Sequence, residues 1–152
     1  MTKAAPLALF LGLLAISSVS AAERIDAKTW RRVKTYDMPT LQKMEPLPMR
    51  MVVGVRFDFR NKDVRHLKPN WFHGSIWQVS RSNGRENLDH IPVMVAKVDV
   101  PAFQALPTAA EAGRNFVVYG QVLNDADANY IFLRLLGTKV KRDRRGHATI
   151  SW

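Results

Sequence analysis

The stretch "MVVGVRFDFR", residues 51–60, alternates with a period of two. Met51, Val53, Val55, Phe57 and Phe59 fall on one face, and Val52, Gly54, Arg56, Asp58 and Arg60 on the other. A helix buries every third or fourth residue, so strict alternation marks a half-buried strand. The same signal recurs in "WFHGSIWQVS" (71–80), "IPVMVAKVDV" (91–100), "NFVVYGQVL" (115–123) and the longer "YIFLRLLGTKVKR" (130–142), which runs through Gly137. Asn83-Gly84 is a strong hairpin signal between the second and third strands, because both residues tolerate the positive φ that a tight turn demands. Pro92 stands near the start of strand three, where a missing N–H does least harm. One segment breaks the rhythm. "VPAFQALPTAAEAG" (100–113) reads as short helix, with Pro101 in a first turn, Thr108 and Glu111 at capping-box spacing, and Gly113 as a stop. The expected order is β-β-β-α-β-β, with no internal repeat and no low-complexity segment.

Residues 23–49 form an N-terminal arm ahead of the first strand. "AKTWRRVKTY" is basic, with Trp30 and Tyr36 as its anchors, and Pro39, Pro46 and Pro48 punctuate the second half of the arm. Asp37 or Thr40 caps a single helical turn ending near Met44. Between strands one and two, "NKDVRHLKPN" (61–70) reads as a polar connection; "NDADAN" (124–129) is a polar turn between strands four and five. Residues 143–152 read as a basic, mobile C-terminal tail pinned by Trp152.

The chain opens with Lys3 and an apolar run of about sixteen residues from Ala4 to Val19, followed by "SAAER". A basic start, an apolar core and small residues at a cut site are the pattern of a secretory signal peptide, and a membrane span needs about 20 residues. Ser20 and Ala22 suit the −3 and −1 positions, which places cleavage after Ala22; Ala21 is the neighbouring alternative. No Cys follows the run to take a lipid, and no second stretch reaches spanning length. The expected product is exported, periplasmic or secreted, without a transmembrane anchor. Cleavage leaves 130 of the 152 residues, enough for one domain. The chain has no Cys, so it must fold on its own apolar core without disulfides. Losing Lys3 leaves 22 basic against 13 acidic residues, and a net charge of +9 favours polyanionic partners.

The glycine-bent first strand "VVGVRFDF", the helix "PAFQALPTA" and the final pair "FVVYGQVLNDADANYIFLRLL" carry a resemblance over residues 50–142. Together they resemble the OB-fold, a small five-stranded Greek-key barrel that binds oligonucleotides and oligosaccharides. A different small sheet with one helix is the competing architecture; an SH3-like barrel would not need the helix. The resemblance implies a ligand lying across strands two and three, between the loops Asn61–Asn70 and Asn124–Asn129.

That location coincides with "RHLKPNWFHGSIWQ" (65–78), which holds two Trp, a Phe, two His, an Arg and a Lys. Basic side chains neutralise phosphate or sulfate, and aromatic rings stack on bases or sugar faces. The candidate ligand-binding residues are Arg65, His66, Lys68, Trp71, His73 and Arg56. Trp71, beside Pro69 at the strand mouth, is the expected exposed ring, and Trp77 the expected buried one. Arg134, flanked by Leu133 and Leu135, also alternates outward, and "KVKRDRRGH" (139–147) adds an electrostatic arm without selectivity. The plainer reading of the whole stretch is a packed strand behind an incidental basic loop.

No cofactor or metal is expected. Asp125, Asp127 and Asn129 match the first three ligands of a calcium loop, but Tyr130 stands where its Gly is needed and Leu136 where its Glu is needed. The four His form no close ligand cluster, "HGSIW" is not a nucleophile elbow, and no P-loop or dinucleotide fingerprint is present. The expected function is non-catalytic: an exported binding module for a polyanion or oligosaccharide. The alternative is an accessory protein that holds an envelope protein through its arm or a strand edge.

Overall fold

The computed structural model describes residues 22–112, 116–124 and 130–152. The signal peptide expected over residues 1–22 lies outside them except for Ala22, as do Gly113 and residues 125–129 of the expected polar turn. In chain order the elements are β1 (Glu23–Ile25), α1 (Ala27–Trp30), β2 (Thr35–Tyr36), α2 (Met38–Gln42), β3 (Val52–Phe57), β4 (Phe59–Arg60), β5 (Arg65–Lys68), β6 (Trp71–Ser82) and β7 (Arg85–Ala96). They continue with α3 (Val100–Gln104), β8 (Phe116–Asn124), β9 (Ile131–Gly137), β10 (Lys139–Arg142) and β11 (Ala148–Ser151). The chain is mainly β. Among the described residues no helix is long and apolar enough to cross a membrane.

The main sheet runs β2-β3-β8-β9-β7-β6-β4, with β5 added along β6. Neighbours are antiparallel except β2 with β3 and β7 with β9. The sheet therefore has eight strands, not the expected five, and hydrogen bonding does not close it into a ring. A second sheet of three strands, β1-β11-β10, accompanies it. The expected first strand is interrupted at Asp58. This residue is buried, donates its N–H to the Trp77 carbonyl (2.8 Å) and accepts the Val79 N–H on Oδ2 (2.7 Å). A carboxylate taking a main-chain donor stands in for a ladder bond, and the chain changes face across it. Phe57 is fully buried while Phe59 turns outward onto Trp77, so the expected apolar face holds for Val53, Val55 and Phe57 only. Met51 is exposed as well.

Alternation is regular in the second half of β7 and along β9 as far as Leu135. Ile91, Val93 and Val95 of β7, and Ile131, Leu133 and Leu135 of β9, point into one core with Ile76 and Phe103. The β6–β7 hairpin closes at Ser82 opposite Arg85, with Asn83 at φ 53° and Gly84 at φ 73°, the backbone the Asn-Gly pair predicts. The expected helix between strands three and four is α3 followed by a 3₁₀ turn at Ala109–Glu111, where the Thr108–Glu111 capping box forms.

The arm belongs to the core. Met38 and Leu41 of α2 are fully buried, Trp30 packs on Tyr119 with ring centroids 5.7 Å apart, and Tyr36 lies against the main cluster. Asp37 is the N-cap of α2 by position, but its carboxylate bonds across the fold. Gln78 Nε2 donates to Asp37 Oδ1 (3.0 Å), and Gln78 Oε1 accepts the Met38 N–H (2.7 Å).

The segment expected as a mobile basic tail contains β11, paired on both sides. Ile150 is fully buried with Ile25 and Leu136 in a second cluster. Gly137 makes this possible. Its φ is 149°, the Ser151 carbonyl occupies the space a Cβ would need, and the chain turns there from β9 into β10. The expected single strand 130–142 is two strands for that reason.

Candidate ring-stacking and anion-binding face

Cross-strand neighbours point to the same side of a sheet, so register decides which side chains meet. Gly74, Ile76 and Gln78 of β6 face the core. Trp71, His73, Ser75, Trp77 and Val79 therefore face outward. Phe59 of β4 is registered with Trp77 of β6, and Trp77 with His90 of β7. The three rings form a row. Trp77 stacks on His90 with centroids 4.4 Å apart and planes 25° apart, and lies parallel to Phe59 at 6.1 Å and 4°. Trp77 Nε1 donates to Ser75 Oγ (3.0 Å), which satisfies the indole and holds its orientation. Trp77, expected in the core, is half-buried on the outer face, because every second residue of β6 is turned away from Ile76. Trp71 is half-buried too.

Each end of the ring row borders a cleft. On the His90 side a cleft of about 500 Å³ is lined by Gln42, Leu47, His73, His90, Pro92, Tyr130 and Ile131. A smaller hollow of about 110 Å³ shares His73, Pro92 and Tyr130 and adds Leu67, Met94 and Phe132. On the Phe59 side a cleft of about 470 Å³ includes Lys62, Trp77 and Leu88. Such walls, apolar or aromatic with a few polar atoms, suit a ring-bearing ligand.

The expected site residues separate into three groups. Arg65 is registered with His73 and Lys68 with Trp71, so these four share the outer side; Arg65, Lys68 and His73 are exposed. Among the described residues neither Arg65 nor Lys68 is ion-paired. The connection expected to be irregular is thus partly strand β5, and pairing is what aims these charges. His66 is registered with Phe72 on the opposite side and sits edge-on to that ring, centroids 5.4 Å apart. Arg56 lies on β3 and holds Asp37 at 3.6 Å, so its charge fastens the arm.

A second outward row follows from register: Arg65, His73, Met94, Arg134, Gln121 and Val52. Arg134 lies outward as expected, but it is half-buried; its Nε donates to Gln121 Oε1 (3.2 Å) and its guanidinium approaches Glu23 at 3.6 Å. Arg60, beside the ring row, donates to the Leu106 carbonyl (3.0 Å) and to that of Gln104, holding the end of α3. Both cations serve the fold first.

Phe59, His90 and Tyr130 were not among the expected site residues. Phe59 looked like core because the alternation did not reveal the break at Asp58. His90 and Tyr130 have no local signal; only the pairing of β7 with β6 and the start of β9 bring them to the face. Among the described residues no group of three or more His, Cys, Asp or Glu is placed to hold a metal ion. No protein-family model matches the chain, and no curated protein matches it either.

Proposed function

We propose that this protein is an exported, non-catalytic binding module whose outer β4–β6–β7 face takes an anionic, sugar-bearing ligand. The observation that carries this reading is the registered row Phe59–Trp77–His90, open at both ends to clefts, with Arg65 and Lys68, not ion-paired among the described residues, farther along β6 on the same outer side. Stacking of about 1–3 kcal/mol per ring supplies affinity, and the cations add a salt-dependent increment. Strand order supports an OB-like reading. Taking β3 and β4 as two halves of one strand broken at Asp58, strand one pairs with four through β3, four with five, five in parallel with three, three with two, and two with the other half, β4, the path staying open at the break. On that reading the face lies on strands two and three, where such folds bind.

Tyr130 and His73 contribute a ring and a polar edge to the lining of the larger cleft. The test is a titration of residues 23–152 with acidic oligosaccharides, neutral oligosaccharides and oligonucleotides, following Trp fluorescence at two salt concentrations. A saturable change is expected that weakens with salt. Tyr130→Ala, at an exposed position, should weaken it about 5- to 100-fold if its ring stacks on the ligand. Silence across the panel, or undiminished binding by both Tyr130→Ala and Trp77→Phe, overturns the reading.

The alternative, an accessory role through the arm, has less support because Met38 and Leu41 are committed to the core. A strand-edge version meets Lys139, Lys141 and Arg142 on the β10 edge, and charges of that kind oppose pairing with another chain.

A further inference from the structure

We propose a second, separate site: the groove between α1 and the start of β3 binds a tetrahedral oxyanion, a phosphate or sulfate group carried in solution. The groove, of about 510 Å³, brings together Lys28 and Arg32 from the arm and Arg50 from the turn before β3. All three are exposed, and among the described residues none is ion-paired. The one acid in the groove, Asp26, has both carboxylate oxygens engaged by Thr29, one with its N–H at 2.9 Å and one with its hydroxyl at 2.6 Å. The local balance is therefore two positive charges in excess, facing a concave space.

Arg50 is the second observation. Its φ is 61°, a left-handed conformation that costs free energy for any residue with a Cβ and that glycine would adopt freely. The fold holds it there by the Arg50 N–H donating to the Val122 carbonyl (2.7 Å) and by Gln121 Nε2 donating to the Arg50 carbonyl (3.1 Å). What an arginine adds at this place over a glycine is a guanidinium at the groove. A guanidinium offers paired donors matched to phosphate or sulfate oxygens, and two further cations from another segment can meet the remaining oxygens. Concavity favours an inserted group over a flat membrane surface. Val52, which ends the outward row from Arg65, also lines the groove, so both sites lie on the outer side of the sheet.

The test uses residues 23–152 and amide chemical shifts, with sodium pyrophosphate and a sulfated disaccharide as separate probes and phosphatidylglycerol vesicles as a third arm. Saturable shifts confined to residues 28–33 and 50–52 are expected with at least one soluble probe. Arg50→Gly should weaken that binding at least fivefold while melting at or above the parent temperature, since it relieves the backbone. Tyr130→Ala should leave this binding unchanged, which separates it from the ring face. Binding unaltered in Arg50→Gly, shifts spread evenly over the basic surface, or response to the vesicles alone would each overturn the proposal.

Discussion

Leu41→Ala tests whether the arm is structure or attachment. Leu41 is fully buried, on a five-residue helix that packs against β3 and β7. Removing a buried leucine to alanine costs about 2–5 kcal/mol, and the loss is smaller where the surroundings can collapse into the space. A helix this short has little stability of its own and is held by tertiary contacts. It can therefore shift inward, which argues for the lower half, about 2–3 kcal/mol. The neighbouring Gln78–Met38 and Gln78–Asp37 bonds limit that shift. Against a total of about 5–15 kcal/mol for a domain, this is a large fraction. In a urea titration with a slope near 1.5 kcal/mol per molar, the midpoint should fall by about 1.3–2 M. Lys43→Ala, just past the end of the helix and exposed, should stay within about 0.5 kcal/mol of the parent. A Leu41→Ala midpoint equal to that of Lys43→Ala would refute the reasoning. The arm would then be free to recruit a partner, and the alternative function would regain its footing.

Two further outcomes are expected. Gly137→Ala forces a side chain into the Ser151 carbonyl at a φ of 149° and should destabilise the protein by at least about 2 kcal/mol, loosening β11 first. Hydrogen exchange at Thr138 and Ile150 that matches the parent would contradict this. For Asp143, burial pushes the carboxyl up, but the N–H groups of His147 and Arg145 and the His147 imidazole outweigh it and hold the group below its ordinary 3.8. A depressed folded pKa means that its stabilisation is complete above 3.8 and is lost as pH falls through the lower folded value. The β10–β11 turn should therefore loosen only below about pH 3.8, seen as faster exchange at the His147 amide, and Asp143→Asn should flatten that response. Loosening already complete by about pH 5 would assign the effect to another group.

Much of the fold was legible because alternation and turn chemistry are local. The strands β3, β6, β8 and β9, the Asn83-Gly84 turn, the Thr108–Glu111 box and the anchors Trp30 and Tyr36 all stand near their expected places, while β7 starts at Arg85, ahead of the expected 91, and so holds Pro92 well inside the strand. The short strands β1, β2, β5 and β11 did not announce themselves. Two to four residues carry too little periodicity, and a charged run such as "RHLK" reads as loop until a partner strand supplies hydrogen bonds.

The candidate site divides along the same line. From sequence alone came the concentration of rings and cations in residues 65–78, the outward Arg134, and the chain's need to fold without disulfides. Only tertiary structure decided that Trp77 faces out beside Phe59 and His90, that His66 turns away from Arg65, and that Arg56 is tied to Asp37. The reason is physical: composition and period are properties of one segment, whereas a side chain's neighbours depend on the register between segments. A single residue, Asp58, was enough to change which face Phe59 belongs to.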